Sequence, residues 1–299
     1  MNKKILVLYY SQSGQLGDII NSLTGPLKDA GNIIETVLVQ PAKVYPFPWS
    51  GKSFFSVMPD CVLEKPTELQ SIQLKETAYD LIVLGYQAWF LSPSIPSNSI
   101  LNNPSVKAAI KNTPVVTITG ARNMWISAMN VIRRILKELD ARHVGNIVLV
   151  DQHANFVSFV TILYWMFTGK RNRYLNIFPK PGVSDADIDN CKVFGSVIGK
   201  YLAKGNFDGM QEELVEKKAV VVKYNLMFIE SKAKRIFTIW ANLIVKRKNR
   251  APWLVAFKYY LIIALFVAAP IILTVDALFF KPFLSGRIKR QKQFFSGVN

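Results

Sequence analysis

At 299 residues, half of them hydrophobic and with 37 basic against 20 acidic side chains, the chain is long enough for one large core or two small ones. The net charge of +17 points to an anionic partner, nucleic acid or lipid. Two distant cysteines, Cys61 and Cys191, exclude a disulfide scaffold and a zinc site, so no metal is expected. The basic excess is uneven: residues 205–299 hold 16 basic and 6 acidic side chains. Lys3 and Lys4 precede an apolar run too short for a secretion signal, with no small-residue cleavage site after it.

Lys4–Tyr10 is apolar throughout, as a strand buried on both faces should be. A turn follows, Ser11-Gln12-Ser13-Gly14-Gln15, and then Leu16, Ile19, Ile20, Leu23 and Leu27 at helical spacing, closed by Gly31. Strand, hydroxyl- and glycine-bearing turn, and helix N-terminus together make a phosphate cradle of dipoles. The turn lacks the lysine of a P-loop and the pattern of a dinucleotide fold. What remains suits one terminal phosphate, as in flavin mononucleotide (FMN); an ordinary Ser/Gly turn is the other reading. Ile33–Val39 reads as a second strand, which completes a βαβ unit and predicts a parallel sheet.

Tyr9-Tyr10-Ser11-Gln12-Ser13-Gly14-Gln15 resembles the phosphate loop of flavodoxin-like proteins, although Leu16 stands where a further hydroxyl is usual. The resemblance implies a doubly wound α/β fold, a parallel five-stranded sheet of order 2-1-3-4-5, with FMN at its switch point. Residues 40–79, punctuated by prolines and rich in aromatics, read as a packed excursion, either plain loop packing or a pocket wall. Asp80–Tyr86 is the strongest strand. Tyr79 to Gly85 matches the flavodoxin-like pattern before the loop that passes the isoalloxazine. The resemblance therefore assigns cofactor contacts to Gln87, Ala88, Trp89 and Phe90, with Trp89 stacking on the ring and Phe90 as its substitute; a core tryptophan is the alternative.

Ser105–Asn112 reads as a short helix and Pro114–Gly120 as the fourth strand. The loop behind it, Gly120, Ala121, Arg122 and Asn123, borders the flavin in this fold, and Arg122 is either a stabiliser of developing negative charge or a solvated surface arginine. His143–Val150 leads into the fifth strand. His153, just past its carboxyl end, is a candidate proton carrier or a structural histidine. Ser184–Lys204 closes a first region, 1–204, with an N-cap serine and an acidic first turn. Inside it, 156–183 is an insertion opening on twelve uncharged residues, Phe156–Phe167, followed by Lys170, Arg171 and Arg173. That segment is too short to span a bilayer and is either a buried helix or a membrane-facing flap.

Residues 205–299 read as a second, helical region. Phe228–Val245 is a basic amphipathic helix, Lys246–Arg250 is nearly all basic, and Tyr259–Phe280 is apolar save for Asp276 and is interrupted by Pro270. The length allows a transmembrane helix. Basic residues at both ends fit one poorly, since cations gather on the cytoplasmic side. A re-entrant pair of short helices meeting near Pro270, or an apolar docking helix, are the alternatives. Cations flanking apolar residues of bilayer length point to an anionic membrane surface, on the cytoplasmic face, and away from nucleic acid.

The whole length, with the YYSQSGQ, DLIVLGYQAWF and VTITGARNMW segments, resembles the dialkylresorcinol-forming (DarA) family found beside ketosynthases in aryl-polyene and flexirubin-type pathways. That resemblance implies an FMN-dependent aromatase that oxidises a lipophilic 2,5-dialkylcyclohexane-1,3-dione to the dialkylresorcinol, with His153 as base and Arg122 at the enolate oxygen. A ketosynthase is the implied protein partner. The rival expectations are a membrane-tethered electron carrier or quinone reductase, and a flavin-free scaffold for that ketosynthase.

Overall fold

The computed structural model describes residues 2–298, so the outermost residues of both expected regions lie outside it. Strands β1 (Lys4–Tyr9), β2 (Ile33–Leu38), β3 (Leu81–Tyr86), β6 (Pro114–Ala121) and β7 (Arg142–Val150) form one parallel sheet in the order β2-β1-β3-β6-β7. A two-residue hairpin, β4 (Ala88–Trp89) with β5 (Ser92–Pro93), projects beyond β3. Counting only strands of the large sheet the order is 2-1-3-4-5, which is flavodoxin-like, with the switch point between β1 and β3.

The helices are α1 (Gln15–Asp29), α2 (Gly51–Ser56), α3 (Met58–Val62), α4 (Ile95–Asn102), α5 (Pro104–Ile110), α6 (Ile126–Glu138), α7 (Asn155–Thr168), α8 (Asp185–Lys204), α9 (Met210–Glu216), α10 (Tyr224–Val245) and α11 (Ala251–Ser296). Side chains of a strand alternate between faces, so each central strand feeds two cores. Ile5, Val7 and Tyr9 join Leu81 and Val83 under α1 and α8; Leu6, Leu8 and Tyr10 join Ile82, Leu84 and Tyr86 under α4, α5 and α6. Helix α1 crosses α8 where a Cβ on Gly195 would lie 2.0 Å from the Leu23 carbonyl oxygen, so only glycine permits this approach. Sequence reading missed α4, whose Ser and Asn residues carry no helical pattern; its serines are buried, Ser97 accepting from the Gln87 N–H and Ser99 from the Thr67 N–H, with Ser94 as N-cap to the Ser97 N–H.

Gly205 ends α8 in a left-handed turn. Phe207, Met210, Leu214 and Ala219 belong to the α1/α8 core, and Val220, Tyr224 and Met227 to the opposite one. The carboxylate of Glu230, buried on α10, accepts from the Ser127 N–H at the start of α6 and ties the two helices together. A third cluster (Met58, Val62, Leu91, Phe237, Ala241, Ile244 and Phe257) fastens the 51–62 excursion to α10 and α11.

No re-entrant pair forms at Pro270. Helix α11 runs through it, opening into a wider π-helical turn at Ala264–Ala268 that relieves the missing N–H and ring clash. It packs along the body: Phe257 and Asp276 are buried, and Asp276 accepts from the Tyr224 hydroxyl at 3.2 Å. Its far end returns to the sheet domain, where Gln211 Nε2 donates to the Ser296 carbonyl at 2.7 Å.

A candidate cofactor and substrate cavity

Three loops meet at the carboxyl end of the sheet, after β1, β3 and β6. All but two of the residues named for the cofactor from sequence line one cavity of about 1170 Å³: Gln12, Ser13 and Gln15, then Gln87 to Phe90, then Gly120, Ala121 and Asn123, with Arg122 beside them. Ser11 and Gly14 sit behind this lining. Gly14 caps α1 with φ +88°, the left-handed conformation that aims the following N–H groups out of the helix. Among the described residues the N–H groups of Ser13, Gly14, Gln15 and Leu16 have no partner, and Ser11 Oγ is buried without one.

The two glutamines do something other than expected. Gln15 is a brace, its amide exchanging hydrogen bonds with Val183 at 3.0 and 3.1 Å, so only its N–H faces a ligand. Gln12 accepts from the Tyr10 hydroxyl and donates to the carbonyls of Tyr45 and Pro46, which pins the loop to the excursion. Its N–H donates to Gln87 Oε1 at 3.1 Å, closing that donor to a phosphate. Leu16, in place of the usual hydroxyl residue, is buried in the core.

Trp89 is neither wholly buried nor free. It stands edge-on to Tyr45, Trp49 and Tyr10, with ring centroids 5.5, 5.4 and 6.0 Å away, and so is held rigid at the cavity wall. The hairpin behind it turns on Phe90 and Leu91 at φ +47° and +60°. Such a turn usually takes Asn-Gly, and bulky residues cost about 1–2 kcal/mol each there. Phe90 packs against Phe54 at 4.7 Å instead of substituting for Trp89.

Arg122 is not a solvated surface residue. Its guanidinium donates to the backbone and side-chain oxygens of Asn155 at 2.8 and 2.6 Å and to Ser158 Oγ at 3.3 Å, and lies 5.5 Å from the Phe159 ring. Burial pushes its pKa down to about 10, against the pull of Asp151, so it stays cationic at neutral pH. Asn123 donates to the same Asn155 oxygen. His153 does not line the cavity. It lies beside it, because the Asp151 N–H bonds to the carbonyls of Ala121 and Arg122. It does have a partner: Nδ1 is 2.6 Å from Oδ1 of fully buried Asp151, which leaves Nε2 as the free nitrogen.

Sequence reasoning left the rest of the wall open, with a pocket wall one of two readings of the 40–79 excursion and a flap one of two readings of Phe156–Phe167, and it missed α11. Trp49, Phe54 and Phe55 come from the excursion, which is therefore a pocket wall; Phe159, Leu163 and Met166 come from α7; Leu254, Leu261 and Leu265 come from α11. The Trp49 N–H donates to the Met166 carbonyl at 2.8 Å and joins excursion to α7. Lys52 and Lys258 add two cations to Arg122, and the lining holds no carboxylate, histidine, cysteine or tyrosine. The aromatic run around Lys52 and the uncharged Phe156–Phe167 segment were the signals for this wall; the α11 contribution had none.

No protein-family model matches the chain, and no curated protein matches it. Among solved structures it is similar to a flavoprotein in complex with FMN from Lactobacillus acidophilus NCFM (19% identity, 49% of this chain and 93% of that one, TM-score 0.40). It is also similar to a flavodoxin from the domain Archaea (12% identity, 67% and 99%, TM-score 0.37) and to oxidised flavodoxin 1 from Bacillus cereus (15%, 67% and 97%, TM-score 0.33). The parallel strand order β2-β1-β3-β6-β7 is flavodoxin-like independent of these likenesses.

Proposed function

We propose that this protein is a membrane-associated, FMN-dependent oxidoreductase, an aromatase converting a 2,5-dialkylcyclohexane-1,3-dione to the dialkylresorcinol. The observation that carries the reading is a single cavity, polar at the switch-point loops and apolar between α7 and α11. At about 1170 Å³ it exceeds the roughly 300–1,000 Å³ of a one-ligand site, leaving room for a cofactor and a second, greasy molecule.

The residues present fit the phosphate end of FMN. Four unpartnered N–H groups at the start of α1, the orphaned Ser11 hydroxyl and Ser13 would hold it, with one hydroxyl fewer than usual because of Leu16. Trp89, fixed by its three aromatic neighbours, would cover the ring. When bound, FMN supplies a two-electron acceptor at the cavity's polar end. Arg122 would stabilise the enolate oxygen in a setting that water does not screen. The lining offers no carboxylate or imidazole base, so the proton passes to His153 Nε2 beside it, with Asp151 orienting the ring.

The test is the absorption spectrum of detergent-solubilised protein, followed by anaerobic addition of a dialkylcyclohexanedione. Bleaching of a flavin band with formation of resorcinol supports the aromatase. A yellow protein inert to the dione is an electron carrier or quinone reductase, and a colourless one that FMN does not reconstitute leaves only the ketosynthase scaffold.

A further inference from the structure

The exposed part of the cavity's lining is made of the wrong side chains for water. Val255, Ile262 and Phe266 of α11 and Phe167 of α7 line the cavity, yet are 53, 43, 43 and 38% exposed. A mouth onto solvent is ordinarily rimmed by polar groups, and a contiguous apolar rim marks contact with something apolar.

The rim continues along the helix. Along α11 the exposed apolar positions run in adjacent pairs, Ile262–Ile263, Phe266–Val267 and Ile271–Ile272, so the exposure is a broad band, while Phe257 and Asp276 turn to the body. Only 6% of the most apolar window of α11, of mean hydropathy 2.5, is buried. Phe156 of α7 and Leu175 and Ile177 of the loop behind it extend the same apolar exposure. Cations stand at both ends, Lys246, Arg247, Lys248 and Arg250 before the band and Lys281, Arg287, Lys289, Arg290 and Lys292 after it. A helix crossing the bilayer would strand one of these groups on the far side. A helix lying in the plane of the membrane puts both at the anionic headgroups of one leaflet.

We infer that α11 lies in the plane of one leaflet and that the cavity opens sideways into the acyl region between α7 and α11, so that an amphiphile enters from lipid with its oxygenated head leading toward Lys258, Lys52 and Arg122. The gate is Phe266, packed edge-on to Phe159 at 5.1 Å and Phe156 at 6.5 Å. Phe266 sits inside the π-helical turn Ala264–Ala268, next to Pro270, where the hydrogen bonding of α11 is loosened as it is again at Asp276–Phe280. The inference rests on the proposed function only for what happens at the cavity's other end.

Two measurements test it, neither requiring flavin. Nitroxides are placed at Val255→Cys, Ile263→Cys, Ile271→Cys and Leu278→Cys, with Lys192→Cys on α8 as a water reference; native Cys61 and Cys191 are buried and stay unlabelled. In phosphatidylglycerol–phosphatidylcholine vesicles the four α11 labels should show one common depth, favouring oxygen over a nickel chelate, and Lys192→Cys the reverse. A depth profile peaking in mid-helix, as for a spanning segment, overturns the inference, and so does chelate access at all four. For the gate, a cleavable crosslink between Phe159→Cys and Phe266→Cys should slow uptake of nitroxide-labelled stearic acid from those vesicles by about tenfold or more, with cleavage restoring it. Uptake unchanged by the crosslink, in protein whose circular dichroism is native, places the entrance elsewhere and overturns the gate.

Discussion

Gly195→Ala and Gly25→Ala make different demands on the same pair of helices. A Cβ at Gly195 would lie 2.0 Å from the Leu23 carbonyl oxygen and 3.1 Å from its carbon, where ordinary C···O contacts are about 3.3 Å. The obstacle is backbone, so no rotamer relieves it and α8 must retreat from α1 by about 1 Å. Overpacking of this kind costs about 1–3 kcal/mol, and an immovable neighbour places it at the top of that range. Alanine returns about 1 kcal/mol of helix propensity, leaving a net loss of about 2 kcal/mol. At about 2–4 °C per kcal/mol for a protein of this size, Tm falls by about 4–8 °C. A Cβ at Gly25, inside α1, meets nothing within 4 Å beyond its chain neighbours, but the Pro26 ring crowds a preceding Cβ in helical conformation, so the propensity gain is offset and Tm should stay within about 2 °C of the parent. Thermal melts followed by circular dichroism in detergent read both. Because Gln15 braces α1 against Val183 just ahead of α8, Gly195→Ala should also weaken FMN reconstitution while Gly25→Ala leaves it unchanged. A Gly195→Ala melt within 1 °C of the parent, or a Gly25→Ala melt lowered as far as that of Gly195→Ala, would falsify the helix-crossing argument.

Trp89→Ala removes the ring proposed to cover the flavin and should weaken FMN binding by about tenfold, in line with the 0.5–1.5 kcal/mol of an aromatic pair, with a rise in flavin fluorescence; an unchanged titration refutes the stacking role. Asp151→Asn should lower turnover of the dione at least about tenfold with FMN affinity intact, since the amide no longer holds the His153 Nδ1 proton, and a flat rate excludes the pair from proton transfer. His143, buried beside Thr117 with its Nε2 3.0 Å from the hydroxyl, is pushed down to about 4 by desolvation, with Arg133 acting in the same direction. Its folded form binds fewer protons than the unfolded chain, so the associated stability is complete above about pH 6.5 and declines toward pH 4, by about 3 kcal/mol in all. His143→Gln should flatten the pH dependence of Tm across that window; an identical slope in the variant means another group titrates.

The βαβ opening was legible in the sequence because strand and helix periodicities are local. Lys4–Tyr9 is apolar on both faces, α1 repeats at helical spacing, and Gly14 marks the one left-handed residue between them. The site was legible to the same depth: loops after β1, β3 and β6 converge by topology alone, so naming Gln12, Trp89 and Ala121 required no long-range contact. Side-chain partners were not legible. Gln15 and Val183 are 168 residues apart, and nothing near either predicts that the glutamine is a brace. The helix α4 was hidden because its buried face is serine and asparagine, which a hydrophobic pattern cannot detect.

Composition and local pattern by themselves determined a parallel α/β domain, a cation-free Ser/Gly turn and an apolar, basic-ended C-terminal stretch, since each is a property of a few neighbouring residues. Tertiary structure alone decided that this stretch is one helix laid along the body, that its inner face closes the cavity and its outer face stays bare, and that His153 stands beside the cavity with Asp151 as its partner. The reason is physical: which face of a helix is buried depends on what packs against it, and for α11 the packing partners, Phe159, Tyr224 and Phe237, lie dozens of residues away or more, or on another helix.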